Sequence, residues 1–224
     1  MPGETDEAQE QELHKIILYA HKKGYQVGIH ATGNRSIDVS LDGFIKDIET
    51  YPGPSKRHYV IHGDMITNAW ARKAIPYDVG LTLEPEVGTL IYEATTPFIG
   101  KKASRIYGVK ELLDCGLWIS GGSDCPITYP NWRKGLEAAV TRRSATTGNK
   151  HCPELGVSVA EGIKVYTYGG AYQERFEKVI GSIKINKVAD FQVLEKDLFS
   201  VEPEALGSVD VVMTVTGGKI VYEK

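Results

Sequence analysis

A short run of β-forming residues that ends on a histidine or a carboxylate, followed by an apolar stripe at helical spacing, recurs along most of the chain. This alternation restricts the possible folds more than any other feature. Tyr25 to Ala31 reads as a buried strand ending at His30, and Ile37, Leu41, Phe44, Ile45 and Ile48 form the next helical stripe, stopped by Pro52-Gly53-Pro54. Arg57 to His62 repeats the pattern, with a short helix from about Asn68 to Ile75. A third strand, Leu81 to Leu83, runs into Glu84-Pro85-Glu86, for which a long loop to about Ser104 is expected before a helix marked by Val109, Leu112 and Leu113. The fourth strand, from Leu117, loses its side chains at Gly121-Gly122 and reaches Asp124 two residues before Pro126. Trp132, Leu136, Ala139 and Val140 then share one helical face, with Arg142 and Arg143 at its end.

Strands that alternate with helices in this way imply right-handed crossovers and a parallel sheet or barrel. The fold class expected is α/β, with four units making half of a (β/α)8 barrel. A helix precedes the first strand, with Asp6, Glu7 and Glu10 at its start and Gly24 at its end, and Ser158-Val159-Ala160-Glu161 is a capping-box pattern before another. From Gly181 the periodicity turns β-like: Ala189 to Leu194 is one strand, and Val209 to Thr216, Gly217-Gly218 and Lys219 to Tyr222 form a hairpin. The expected organisation is an α/β part over residues 1–179 and a small β appendage over 180–224.

Composition narrows the class of partner. A net charge of -3, from 26 basic and 29 acidic residues, offers no electrostatic footprint for nucleic acid or an anionic membrane. Three scattered cysteines make no disulfide framework, and the first residues carry no apolar signal segment, so the expected location is cytoplasmic.

His30, His62 and Asp124 each close a predicted parallel strand, so all three are expected at one rim, where α/β folds place their chemistry. One strand-helix unit separates the histidines and two separate His62 from Asp124. Two imidazoles and a carboxylate suit a divalent metal, zinc in particular, with an open position for a water whose pKa the metal lowers. Blander readings stand beside this one. A single strand-end histidine is more often a hydrogen-bonded core residue, and Asp124 before a proline can serve its own turn. Glu84 and Glu86 are expected to be solvated loop acids, and His14, His21 and His151 surface or loop residues. His58 shares a strand face with His62 and is a candidate to support it. Cys125 has no evident base partner.

The blocks around these residues resemble the carboxyl-terminal half of the metal-dependent amidohydrolase superfamily. The likeness is to amidohydrolase family 3, the group that includes YtcJ-like proteins and N-substituted formamide deformylases. His30-Ala31-Thr32-Gly33-Asn34-Arg35-Ser36 resembles the strand-five block H-A-x-G-D-R-A, Arg57 to His62 the strand-six block R-H-x-x-E-H, and Gly122-Ser123-Asp124-Cys125-Pro126 the strand-eight block G-S-D-x-P. Ile180 to Asp190 is similar to the segment that leads back into the family's small β-domain. The resemblance implies a TIM-like barrel, of which this chain holds strands five to eight. It implies His30, His62 and Asp124 as metal ligands, with Asp124 also moving a proton to or from the hydrolytic water, and a small amide-type substrate. Asn34, Ile61 and Gly63-Asp64 depart from the pattern, and the family's strand-one H-x-H pair occurs nowhere in the chain.

Two functions from different classes follow. One is a hydrolase acting on non-peptide carbon-nitrogen bonds. The other is a catalytically silent, truncated fragment acting as a structural or interaction module, with self-association expected through open barrel edges. A doubly wound nucleotide-binding domain is disfavoured, because no GxGxxG follows the first strand.

Overall fold

Thr5 begins the first helix, α1 (Asp6–Lys22), by accepting a hydrogen bond from the Ala8 N–H on its side-chain hydroxyl at 3.2 Å. Asp6 and Glu7 in the first turn and His21 and Lys22 in the last complement the helix dipole, and Gly24 follows with φ 84°. The computed structural model describes residues 3–224. The chain forms two compact units, Met1–Leu83 with Glu111–Trp118, and Glu84–Lys110 with Ile119–Lys224.

In the first unit β1 (Gly28–Ala31), α2 (Asn34–Thr50), β2 (Tyr59–His62), α3 (Asn68–Ala74) and β3 (Gly80–Leu83) follow in the expected order. The three strands are parallel and pair consecutively, with His30 opposite Ile61 and Ala31 opposite His62. Ile37, Leu41 and Phe44 of α2 are fully buried with Ile17 of α1, as the helical stripe requires. Beside β3 the Leu81 N–H donates to the Trp118 carbonyl at 3.3 Å, and the Trp118 indole N–H donates to the Asp78 carbonyl at 3.2 Å. The indole lies flat against Gly80, where an added Cβ would fall 2.1 Å from it.

At the opposite end of β2 from His62 lies a buried polar chain. The Val27 N–H donates to His58 Nδ1 at 3.0 Å, His58 Nε2 meets His21 Nδ1 at 2.9 Å, and His21 Nε2 meets the Tyr51 carbonyl at 3.0 Å. A carbonyl only accepts, so His21 Nε2 carries its proton, and the proton between the rings belongs to His58 Nε2. His21 is only 7 % exposed and His58 1 %, so His21 is a core residue and not the surface histidine expected. His58 stands four residues before His62, about 13 Å away along a strand, too far to orient it.

In the second unit the expected loop after Glu84 is instead a helix, α4 (Pro85–Ile99), continued by a 3-10 turn over Gly100–Arg105. Pro85 at the first helical position starts it, and the buried Val87, Gly88, Thr89 and Tyr92 give it a core face; Pro97, near the end, disguises the pattern. α5 (Val109–Asp114) belongs from Glu111 on to the first unit, and the second resumes with β4 (Ile119–Gly121), then α6 (Trp132–Thr141) and α7 (Val159–Lys164), whose capping box between Ser158 and Glu161 is complete. One π turn, Val165–Gly169, joins α7 to α8 (Gly170–Gln173).

The tail forms the expected antiparallel sheet of β5 (Phe191–Leu194), β6 (Val211–Thr216) and β7 (Lys219–Glu223). Leu198, Leu206 and Val209 share one apolar cluster with Leu136 of α6, which joins the tail to the helices before it. No helix among the described residues is long and apolar enough to cross a membrane.

Candidate metal-binding site

Parallel pairing of β1 with β2 brings their carboxyl ends side by side, and with them the two strand-terminal histidines. The His30 and His62 ring centroids lie 4.5 Å apart, edge to face at 79°. His30 is exposed, whereas His62 is only 6 % exposed. His62 takes φ 72°, a left-handed conformation that costs a non-glycine residue energy and is concentrated at functional sites. Gly63 follows at φ 59°, its N–H donating to the carbonyls of Ala31 and Ile61 at 3.0 and 3.1 Å. A Cβ there would fall 2.5 Å from Ile66 and 2.6 Å from Leu81, so glycine is needed for the chain to turn away directly after the histidine.

Asp124 lies in the second unit, three residues beyond β4. It is exposed and also left-handed, at φ 51°. Its carbonyl accepts the Ile127 N–H at 2.7 Å, which closes the turn, while its carboxylate makes no hydrogen bond among the described residues. The turn is therefore held by backbone and by the Thr128 hydroxyl on the Ser123 carbonyl, not by the aspartate side chain.

The donor chemistry suits zinc in part. Neutral imidazoles bind it at about 2.0–2.1 Å, and a catalytic site takes three protein ligands with a fourth position for water. Among the described residues no three His, Cys, Asp or Glu side chains are grouped so as to hold a metal ion. The structure thus brings together His30 and His62, two residues of the expected set. Arg35, next to this block in sequence, is engaged elsewhere, with Asp6 at 3.0 Å and Glu10 at 2.7 Å.

Several polar residues of the second unit escaped the sequence reading. Glu84 is 3 % exposed, not a solvated loop acid, and burial raises the carboxyl of Glu86 above its ordinary range, against the pull of Lys134 and Thr128. Tyr166, in the π turn, lies over Gly121 and Gly135, whose added Cβ atoms would come 2.6 and 2.0 Å from it. Burial, then the charges of Glu84 and Glu86, hold its hydroxyl protonated well above the ordinary phenol range. His151, expected in a loop, bridges Glu93 (2.9 Å) and the Ser104 hydroxyl (3.3 Å) and stacks on Tyr92. The only sequence signal for Tyr166 is the pair Gly121 and Gly135, and it becomes readable only once the ring is seen to fill the space they leave.

A family model described as amidohydrolase family matches residues 2–222. The putative amidohydrolase YtcJ of Bacillus subtilis is 32 % identical over 216 residues, covering 95 % of this chain and 40 % of that protein. The N-substituted formamide deformylase of Arthrobacter pascens is 24 % identical over 218 residues, covering 95 % of this chain and 39 % of the other. The chain therefore spans about two fifths of the length of these curated relatives. Among solved structures, an uncharacterized metal-dependent hydrolase from Pyrococcus horikoshii superposes with a TM-score of 0.70 at 21 % identity, over 87 % of this chain and 38 % of that one. At that identity the likeness speaks for the fold alone.

Proposed function

Because the chain belongs to the amidohydrolase family, we propose that it carries strands five to eight of a metal-dependent hydrolase barrel acting on carbon-nitrogen bonds of small, non-peptide amides. In this reading His30 and His62 hold a divalent cation, zinc by their nitrogen donors, and Asp124 is the proton shuttle. The observation that carries it is the edge-to-face pair of imidazoles at the ends of neighbouring parallel strands.

A bound divalent cation supplies Lewis-acid polarisation and a water of lowered pKa. The chain's own residues supply the rest. His30 and His62 bind through neutral ring nitrogens, and the left-handed turn at His62-Gly63 takes the backbone away directly after the strand end. Asp124, with its carboxylate uncommitted, is free to take a proton from the attacking water and pass it to the departing amine, the general acid-base role the cleavage requires.

Calorimetric titration of the full chain with Zn2+ tests the reading. Saturable binding is expected, weakened at least tenfold by His30→Ala and by His62→Gln, since each removes one of two nitrogen ligands. Because His62 is buried, the exposed His30 gives the cleaner result. Equal affinity in wild type and His30→Ala would refute the assignment.

A further inference from the structure

We propose that the second unit holds a binding site for a small zwitterion. The site is a cavity of 670 Å³ between α4, α6, the turn 143–148 and the segment around Gly207. That volume is typical for a small-molecule site. The inference rests on this unit alone and needs no metal.

The charges of the cavity are arranged in depth. Glu86 and Glu137 are half-buried in its wall, whereas Lys134 and Arg143 are exposed. The hydroxyls that face it have committed their protons: Thr89 donates to the Glu86 carbonyl, Thr141 to the Glu137 carbonyl and Ser144 to Glu93. Thr89 and Thr141 keep lone pairs, which suits a ligand that donates, whereas the Ser144 oxygen accepts the Thr146 and Thr147 N–H groups, each at 3.1 Å. Glu137 accepts the Gly207 N–H on one carboxylate oxygen at 2.9 Å and keeps the other available. Arg143 spends only Nε, on the Gly148 carbonyl at 3.0 Å, and both terminal nitrogens remain for a planar anion. Among the described residues Lys134 forms no ion pair within salt-bridge distance, and acts on Glu86 through its charge.

The interior is therefore rich in acceptors and short of positive charge. Burial pushes the Glu86 carboxyl up, and the nearby Glu137 adds to the effect, with only Lys134 and the Thr128 hydroxyl opposing it. An ammonium group placed between the two acids relieves that repulsion, and a carboxylate at the mouth meets the free face of the Arg143 guanidinium. Glu137 lies on α6, and Arg143 follows the left-handed Arg142 that ends that helix. A dianion is disfavoured, because two carboxylates line the same cavity.

The test uses the full chain and three probes of one length: ε-aminocaproate, caproate and n-hexylamine. Saturable calorimetric binding of ε-aminocaproate is expected, with each singly charged analogue weaker by about tenfold or more, the usual consequence of losing one charge-assisted contact. Arg143→Gln should weaken ε-aminocaproate and caproate but leave hexylamine unchanged, and Glu86→Gln should do the reverse for the two amines. Absence of saturable binding, equal affinity for all three probes, or unchanged affinity in Glu86→Gln would overturn the proposal. Should Arg143→Gln fail to fold by circular dichroism, the comparison of probes on wild type still decides it.

Discussion

Arg142 is a buried arginine that makes no ion pair among the described residues. It is 1 % exposed, left-handed at φ 50°, and donates to the carbonyls of His151, Tyr107, Ser104 and Ile106 at 2.6 to 3.0 Å. Burial lowers its pKa, and the carbonyl cage compensates for lost hydration. Arg142→Met leaves those carbonyls without partners, so a loss of roughly 3–5 kcal/mol is expected in chemical denaturation. Arg142→Lys should recover little, since a single ammonium cannot reproduce the planar fork. A fully stable Lys variant would refute this account. Glu93 provides the pH counterpart. Burial acts to raise its carboxyl, but hydrogen bonds from Thr147, Ser144 and His151 outweigh it and bring the value from 4.5 down to about 2. Because the folded value is depressed, its contribution is fully present above pH 4.5 and is lost as pH falls towards 2. The stability gap between wild type and Glu93→Gln should close across that window, as followed by urea melts at successive pH values. Nothing local in the sequence marks Arg142 as buried, since it follows a helix whose end suits an exposed cation equally well.

At the scale of elements, the packing of β3 against the segment at Trp118 depends on the hydrogen atom that serves Gly80 as a side chain. Gly80→Ala pushes a methyl group into the indole, and a destabilisation of about 1–3 kcal/mol is expected. Most of it should return in the double variant with Trp118→Leu, where the added methyl has room; additive losses in thermal melts would show that the strain lies elsewhere. The element pattern itself was largely readable from the sequence. The capping box at Ser158 and the Gly217-Gly218 hairpin are local devices made by residues within a few positions of one another, and both are present. α4 was not readable, because Glu84-Pro85-Glu86 followed by Gly88 and Pro97 looks like a loop until Tyr92, Val87 and Thr89 find a core to face. Tertiary burial outweighed weak local preference there.

For the whole molecule, the decisive quantity is the number of ligands that converge. Residues 1–224 with excess Zn2+ should show no turnover above background on amide and formamide substrates, because no three metal-binding side chains are grouped among the described residues, and a loosely held metal forfeits orientation. Turnover abolished by Asp124→Asn would prove the expectation wrong and the residues present sufficient. The sequence by itself determined the strand-helix alternation, the helix starts and the positions of His30, His62 and Asp124 at strand ends, since periodicity, caps and turn residues act over a few neighbours. Only the tertiary structure decided that His30 and His62 meet, that His21 and His58 form a buried hydrogen-bonded pair, and that Glu84 and Arg142 lie inside. Burial and hydrogen-bond partnership depend on atoms far away in the chain, and a residue's type and its neighbours do not specify them.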